Sequence, residues 1–342
     1  MLPAAYQFIV GSSDGLSGKL QQYKEIGYST AVDKGVAAFD VPSVDGLCVS
    51  QRPSFAGSVS YVFEARDAAA QRWSVKVCKP GVQKTLEGEI AWLTAGSVLS
   101  GIINSSLPAA IDRTASSLLR ELDMGHELAM WSKVRDSKGL AATPEIQTTE
   151  VDPRRSTADM LLYRFVDGVP LSDPRCIKAV PARLLGCVIA CMFRMLHYDA
   201  LVFADANAGN FLWNSQQNKI VMIDYGAVVP LSKNMLTFVR DVHLAQEDPR
   251  GVRSCLLVHG VADLEECLLG QAQQFWSDKP VRFRSLTSAD LTMKTLGAEF
   301  GDGFEVVVRH HAQLVALIEY LQVEICTRPL MEEIVRYYTH AR

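Results

Sequence analysis

The sequence predicts an α+β protein of two lobes: a small lobe made of an antiparallel sheet with a helix, and a larger lobe that is mainly helical. Two observations lead to this fold class. Residues 59–78 contain two stretches in which apolar and polar side chains alternate, which is the period of a strand. The large lobe instead carries apolar side chains at helical spacing. We therefore divide the chain into an extension (residues 1–45), a small lobe (46–166) and a large lobe (167–342), with a cleft expected between the lobes.

The small lobe is expected to contain a hairpin whose strands cover residues 59–64 and 73–78 and are joined by a polar turn. In the second strand, Trp73 and Val75 share one face. Lys76 therefore lies on the opposite face, outside the apolar set.

Helices, a strand and a second hairpin are predicted after the first hairpin. A helix is predicted over residues 115–135, and a short apolar strand over residues 160–166 leads into the large lobe. The large lobe begins with a buried helix over residues 184–196. A polar, glycine-broken segment at residues 203–210 then precedes a second hairpin at residues 211–223.

The composition is that of a folded, mildly acidic protein. Of the 342 residues, 48% are hydrophobic and 21% are charged, which excludes disorder as a global description. The net charge of -4 argues against nucleic acid as a partner, because proteins that bind the phosphate backbone are normally basic. The most apolar long stretch, residues 180–203, contains charged side chains and predicts a buried helix rather than a transmembrane segment. Peripheral contact with a membrane stays open.

The eight cysteines predict an intracellular, reducing compartment. None forms a Cys-x-x-Cys pair, and there is no His-Glu-x-x-His run, so the spacing of a zinc site is missing. Dispersed cysteines in a chain of this size are typical of free thiols. Neither a secretory signal nor a clear transit peptide is expected, since the first residues lack an apolar core and no arginine precedes Arg52. A mitochondrial or plastid location stays open.

Three polar residues of the large lobe have the spacing of a phosphoryl-transfer site. Asp205 and Asn210 form Asp-x-x-x-x-Asn, and Asp224 follows the second hairpin within Asp-x-Gly. In such a site one carboxylate orients or deprotonates the acceptor. An amide and a second carboxylate hold Mg²⁺, a hard cation that prefers oxygen ligands. Lys76 would supply positive charge for the α- and β-phosphates, and a glutamate on a helix would fix its position.

Each of these residues also has a plain structural interpretation. Asp224 can be a turn residue, Lys76 a strand lysine that extends to water, and residues 205–210 an Asx-rich loop. Their joint order along the chain favours the functional interpretation.

The same residues resemble the UbiB-type (AarF-domain) atypical kinase-like family over about residues 52–235. Residues 53–62 are similar to the Ala-rich phosphate loop of that family, and residues 74–82 to its Val-Ala-Val-Lys-Val-x-x-Pro-Gly-Val strand. Residues 121–129 resemble its Glu-Leu-Asp…Glu-Ala-x-Asn helix, and residues 203–210 its His-Ala-Asp-Pro-His-Pro-Gly-Asn motif. The positions identical in the last motif are Ala204, Asp205, Gly209 and Asn210.

The resemblance implies a protein-kinase-like bilobal fold with a site for ATP and Mg²⁺. Asp205 is then the candidate base, with Lys76 as the second catalytic residue. Asp224 opens an Asp-Tyr-Gly where the family has Asp-Phe-Gly, so Asp224 and Asn210 are the candidate metal ligands. The candidate nucleotide-binding residues are Ala56, Gly57, Ser58, Lys76, Glu127, Arg164 and Phe165.

The sequence departs from the family pattern at several positions. Phe203 replaces the first histidine of the motif, and Ala206-Asn207-Ala208 replaces its Pro-His-Pro. Residues 163–168 resemble the hinge that precedes the second lobe in the family, and Arg164 replaces the glutamate of that hinge. No Lys-x-Gly-Gln motif precedes residue 52. Gly57 stands where the phosphate loop usually has alanine, and we expect it to let the backbone approach a phosphate more closely.

The function implied by the resemblance is that of a phosphotransferase or ATPase, tied to isoprenoid-quinone or lipid metabolism. The acceptor is unspecified and could be a protein, a lipid or a small molecule. Two alternatives stay open. The altered loop around Asp205 motivates a non-catalytic, nucleotide-binding pseudokinase scaffold. Small-molecule kinases of the aminoglycoside or choline type share the Asp-x-x-x-x-Asn and a later Asp, although residues 56–58 and 79–82 argue against them.

Overall fold

The structure is a computed structural model, and its described residues fall into two compact units. The first unit contains the described residues up to Trp131 together with Thr149–Val166, and the second contains Ser132–Thr148 and the described residues from Asp167 onward. The described residues are 41–57, 60–84, 87–88, 119, 122–245, 249–258 and 304–340. Most of the predicted extension, residues 1–40, therefore lies outside the description.

The secondary structure follows in chain order. The strands are β1 (Leu47–Val49), β2 (Phe55–Ala56), β3 (Ser60–Asp67), β4 (Arg72–Cys78), β5 (Ile146–Thr148), β6 (Met160–Arg164), β7 (Val169–Pro170), β8 (Leu201–Phe203), β9 (Phe211–Asn214), β10 (Lys219–Met222) and β11 (Val228–Pro230). The helices are α1 (Met124–Arg135), α2 (Lys138–Ala141), α3 (Pro174–Ala179), α4 (Ala182–Asp199), α5 (Lys233–Leu244), α6 (Pro249–Val258), α7 (Phe304–Leu321) and α8 (Arg328–His340), and a short 3₁₀ turn covers Ala208–Asn210.

The first unit is built on an antiparallel sheet in the order β1-β3-β4-β6, with β2 paired to β3. The predicted first hairpin is confirmed, because β3 and β4 pair along their whole length. Its turn is fixed by the carboxylate of Asp67, which accepts hydrogen bonds from the N–H groups of Ala69 (3.0 Å) and Gln71 (2.9 Å). Ala70 in this turn has a left-handed backbone, with φ of 60°.

One face of this sheet carries the apolar core of the first unit. The alternation of β4 places Trp73 and Val75 in that core, as the sequence predicts. Val44 belongs to the same core, so the last described residues of the predicted extension pack on the sheet. The buried members of the core are Val44, Phe63, Ala65, Trp73, Val75 and Leu162.

The structure interrupts the helix that the sequence predicts over residues 115–135. Leu119 is helical, but Leu122 lies in a turn and helix α1 starts at Met124. The reason is local: the carboxylate of Asp123 accepts the N–H of Gly125 at 2.9 Å, and its carbonyl accepts the N–H of Glu127 at 3.1 Å. These are the contacts of an N-cap residue, which starts a helix instead of continuing one. Most of residues 115–121 lie outside the described residues.

The second unit combines a small mixed sheet with packed helices. The sheet has the order β5-β10-β9-β7, and a separate two-stranded ribbon pairs β8 with β11. The predicted buried helix and second hairpin are confirmed as α4 and as β9–β10. None of the helices in the described ranges combines the length and the hydropathy of a membrane-spanning segment.

A chain of hydrogen-bonded side chains crosses the helical core of the second unit. The hydroxyl of Tyr338 lies 3.1 Å from Nδ1 of His197, whose Nε2 lies 2.9 Å from Nδ1 of His243. Nε2 of His243 lies 3.1 Å from Nε2 of His311, and Nδ1 of His311 lies 2.9 Å from the carbonyl oxygen of Val307. Because a carbonyl oxygen only accepts, this last contact makes Nδ1 of His311 the donor. The neutral chain then runs in one direction from Nε2 of His197 to the Val307 carbonyl, while the Tyr338 hydroxyl donates to the carbonyl oxygen of His197 at 3.1 Å.

We expect the stability of the protein to fall as the pH decreases from about 6.5 to about 5. Burial lowers the pKa of His197 and of His310 to about 3, and lowers the pKa of His243 and His311 below the usual 6.5. In this window the unfolded chain binds protons that the folded chain does not, so each histidine contributes up to about 1.4 kcal/mol per pH unit. Urea unfolding at stepped pH measures the slope. A stability that is constant from pH 6.5 to 5 would contradict the burial of these imidazoles.

Candidate active site

Among the described residues of the first unit, the most buried ion pair joins Lys76 of β4 to Glu127 of α1. Nζ of Lys76 lies 2.9 Å from Oε1 and 2.8 Å from Oε2 of Glu127. The two side chains are only 9% and 2% exposed. The glutamate therefore holds the ammonium with both oxygens in a place that water barely reaches. The predicted pairing of Lys76 with Glu127 is present in the structure.

Local structure explains why these two side chains meet. In the sheet, Lys76 lies opposite Val62 and Leu161, on the face that the apolar core does not use. Glu127 lies in the first turn of α1, because the helix starts after the cap at Asp123. A further contact ties strand to helix start: the thiol of Cys78 donates to the carbonyl oxygen of Leu122 at 3.0 Å. Burial raises the pKa of the Cys78 thiol, which favours this protonated donor.

The structure describes the predicted phosphate loop, residues 53–62, except for residues 58 and 59. Ala56 pairs with Tyr61 across the β2–β3 ladder, and the N–H of Gly57 donates to the carbonyl oxygen of Ser60 at 2.8 Å. A Cβ on Gly57 would lie 3.2 Å from Oγ of Ser60, so the turn favours glycine by close approach. Ser58 lies outside the described residues.

The candidate nucleotide-binding residues Arg164 and Phe165 lie at and just after the end of β6 and make different contacts. Arg164 lies opposite Trp73 in the β4–β6 pairing, so its side chain is on the face away from Lys76. Its guanidinium carbon lies 4.3 Å from the centroid of the Trp73 ring, and Nε lies 3.5 Å from Oε2 of Glu150. The N–H of Phe165 donates to the carbonyl oxygen of Arg72 at 3.2 Å. The nucleotide roles of Arg164 and Phe165 stay predictions, and for Arg164 the backbone is the part that suits such a role.

The second set of predicted residues is brought together at one end of the β9–β10 hairpin in the second unit. Phe211 pairs with Met222, and the N–H of Ile223 donates to the carbonyl oxygen of Asn210 at 3.1 Å. The hairpin thus continues for one more pair beyond the strands. Asn210 and Asp224 therefore emerge next to each other, both half-buried.

Asp205 belongs to the same group through the loop that it starts. The side-chain nitrogen of Asn210 donates to the carbonyl oxygen of Asp205 at 3.1 Å, which closes the Asp-x-x-x-x-Asn loop on itself. Inside the loop, the side-chain oxygen of Asn207 accepts the N–H of Gly209 at 2.8 Å and begins the 3₁₀ turn. This capping role of Asn207 is one that the sequence interpretation missed. An Asn two residues before a Gly is the signal that could have indicated it.

The donor set of this loop fits a magnesium ion. Since the nitrogen of the Asn210 amide donates to Asp205, the amide oxygen faces the other way and is the atom available to a cation. Asp224 adds a carboxylate, one oxygen of which accepts the N–H of Gly226 at 3.0 Å. Mg²⁺ keeps several waters, so two protein oxygens suffice. Among the described residues, no group of three or more His, Cys, Asp or Glu side chains could hold a metal. These residues therefore show no site of the kind that binds a soft metal through several His or Cys side chains.

Comparisons with known proteins identify the family of this chain. A model of the ABC1 atypical kinase-like domain matches residues 48–253. An uncharacterized aarF domain-containing chloroplastic protein kinase of Arabidopsis thaliana is 28% identical over 182 residues, and the mitochondrial atypical kinase COQ8B of Danio rerio is 26% identical over 184 residues. Each match covers 52% of this chain, but 25% and 29% of those relatives. The chain thus spans less than a third of the length of these curated relatives.

A solved structure extends the likeness to nearly the whole chain. The complex of Rv3197 with erythromycin from Mycobacterium tuberculosis matches with a TM-score of 0.61 and 16% sequence identity, over 93% of this chain and 90% of that one. At this identity the likeness concerns the fold alone. Together with the match to the kinase-like domain model, it confirms the predicted protein-kinase-like fold and the predicted resemblance. The roles of individual site residues stay predictions.

Proposed function

We propose, from the premise that this chain belongs to the ABC1 atypical kinase-like family, that it binds ATP with Mg²⁺ and acts as a phosphotransferase or ATPase. The observation that supports this most is the buried pair of Lys76 and Glu127. The finer parts of the proposal concern the metal, the base and the acceptor, and each rests on different residues.

The Lys76–Glu127 pair suits the holding of phosphates better than it suits stabilisation. Removing two charges from water costs several kcal/mol per ion, so a buried pair is a poor way to stabilise a fold. Such a pair does fix an ammonium group in one orientation. The Lys76 ammonium has three N–H donors, and two glutamate oxygens hold it in place. We infer that its positive charge serves the α- and β-phosphates of ATP.

Asn210 and Asp224 are the residues proposed to hold the metal. Mg²⁺, when bound, offsets the negative charge of the phosphates. This chain contributes the amide oxygen of Asn210, oriented by the bond to Asp205, and the carboxylate of Asp224, anchored after β10.

Asp205 is proposed as the base that orients or deprotonates the acceptor. Its backbone is held on both sides, because its carbonyl accepts from Asn210 and the preceding Ala204 donates its N–H to the carbonyl of Ala227 at 2.9 Å. A carboxylate on a fixed backbone can accept a proton from a hydroxyl within hydrogen-bonding reach.

A second candidate, a nucleotide-binding scaffold without turnover, is motivated by Asn207. This side chain caps the 3₁₀ turn, at a position within the altered Ala206-Asn207-Ala208. In the scaffold, the loop would keep its shape without performing catalysis.

The two candidates predict different results for Asp205→Asn. For an enzyme, we expect this change to lower the rate of ATP turnover by about 10²- to 10⁴-fold with little change in ATP affinity. Release of phosphate from ATP, measured beside the control Asp136→Asn at an exposed position, gives the answer. ATP binding with no turnover that depends on Asp205 would favour the scaffold, and phosphorylation of a defined small alcohol would favour a small-molecule kinase.

The acceptor and the compartment complete the proposal. We infer a protein, lipid or small-molecule acceptor, with the link to isoprenoid-quinone or lipid metabolism that the resemblance implies. We further infer a reducing compartment, since the exposed Cys48 is a free cysteine.

A further inference from the structure

His310 of α7 makes one hydrogen bond whose donor is fixed by chemistry. The residue is 1% exposed, and its Nδ1 lies 2.8 Å from the carbonyl oxygen of Phe203. A carbonyl oxygen only accepts, so Nδ1 carries the proton and, in the neutral imidazole, Nε2 does not. Nε2 is buried and has no hydrogen-bond partner among the described residues.

The Phe203 carbonyl is available for this bond because of the register of the β8–β11 ribbon. The ladder bonds run from the N–H of Ala204 to the carbonyl of Ala227 and from the N–H of Leu231 to the carbonyl of Ala200. Antiparallel pairs alternate between bonded and non-bonded, which makes Phe203 and its partner Val228 a non-bonded pair. The carbonyl of Phe203 therefore points out of the ribbon, and His310 satisfies it.

We propose that His310 is a positioning residue for Asp205, holding the start of the Asp205–Asn210 loop through the Phe203 carbonyl; this rests on the proposed function of Asp205. Phe203 precedes Asp205 by two residues, and the residue between them is bonded to Ala227. The bond from His310 of α7 thus fixes the backbone just before Asp205, and the bond from the Asn210 side chain fixes the carbonyl group of Asp205 itself.

The energetics of His310 support this role over simple packing. A buried acceptor without a hydrogen-bond partner destabilises the folded protein. An apolar side chain at the same place would avoid burying Nε2 without a hydrogen-bond partner. The contribution of the imidazole is therefore the hydrogen bond from Nδ1. Burial lowers the pKa of His310 to about 3, so the imidazole is neutral throughout the neutral range and its one proton lies on Nδ1.

A pair of amide substitutions separates positioning from packing. The side-chain nitrogen of asparagine can take the place of Nδ1, whereas that of glutamine reaches the place of Nε2. We expect His310→Gln to speed hydrogen exchange of the loop amides by about tenfold and His310→Asn to restore protection. The reporter amides, each with a defined acceptor, are those of Ala204, Gly209 and Asn210. We also expect His310→Gln to lower kcat for ATP turnover by about tenfold, with KM for ATP changed less than about twofold.

His311→Asn is the matched control, since His311 donates to the carbonyl of Val307 in its own helix and not to the loop. In this variant, hydrogen exchange of the loop amides should be no faster than that of other amides of the second unit. Equal effects of His310→Gln and His310→Asn, or equally faster exchange throughout the second unit, would overturn the proposal. If the wild-type protein has no ATP turnover, the proposed function fails, while hydrogen exchange still decides the role of His310.

A second measurement needs no variant. ¹⁵N NMR of the imidazole at pH 7 should show Nδ1 protonated and Nε2 unprotonated for His310. The opposite tautomer would remove the bond to Phe203 and overturn the proposal.

Discussion

Replacing Lys76 with methionine should lower the free energy of unfolding of the protein by about 3–5 kcal/mol. The reason is that Glu127, whose side chain is 2% exposed, would lose the ammonium that both of its carboxylate oxygens contact. The sequence alone places Lys76 outside the apolar set, and therefore predicts that a variant at this position keeps its fold largely intact. The structure reverses that expectation, because the face opposite the apolar core is itself covered at Lys76.

The double variant Lys76→Met, Glu127→Leu should recover most of that loss, since it removes both buried charges together. Chemical denaturation of the single and double variants measures the coupling directly. Arg66→Met provides the control, because Arg66 contacts Glu64 with a side chain that is 57% exposed, and it should change stability little. A stable Lys76→Met variant, or a double variant no more stable than the single one, would show that the pair is not buried as described.

Much of the first unit follows from side-chain periodicity. The alternation along β4 predicts both the core position of Val75 and the opposite placement of Lys76, because successive strand residues point to opposite faces. The second hairpin is equally readable, and its register explains why Asn210 and Asp224 emerge together.

Features set by one capping residue or by contacts between distant segments were not readable from the sequence. The start of α1 is set by the capping residue Asp123, and the spacing of apolar residues does not reveal such a cap. The side chain of Arg164 packs on Trp73, a contact fixed by the pairing of β6 with β4 across the intervening chain. The bond from His310 to Phe203 joins residues 107 positions apart, and no local spacing signals it.

Asp224→Asn should abolish the part of ATP binding that depends on Mg²⁺ while leaving the turn intact. An asparagine oxygen can still accept the N–H of Gly226, as the Asp224 carboxylate does at 3.0 Å. It lacks the negative charge that a magnesium ion requires from a ligand set of only two protein oxygens. The control is Asp136→Asn, an exposed carboxylate paired with Arg135. Unchanged Mg²⁺ dependence in Asp224→Asn would make Asp224 a turn residue and remove the central metal ligand from the proposal.

A thermal-unfolding titration of the wild-type protein with ATP, with Mg²⁺ and then with EDTA, tests the proposed ATP–Mg²⁺ site most directly. A ligand that binds the folded state alone stabilises it by roughly 2.7 kcal/mol at a hundred times its Kd. We predict that the unfolding temperature rises with ATP concentration in Mg²⁺, and rises much less in EDTA. An unfolding temperature that stays the same at every ATP concentration, with Mg²⁺ and without it, would contradict the account.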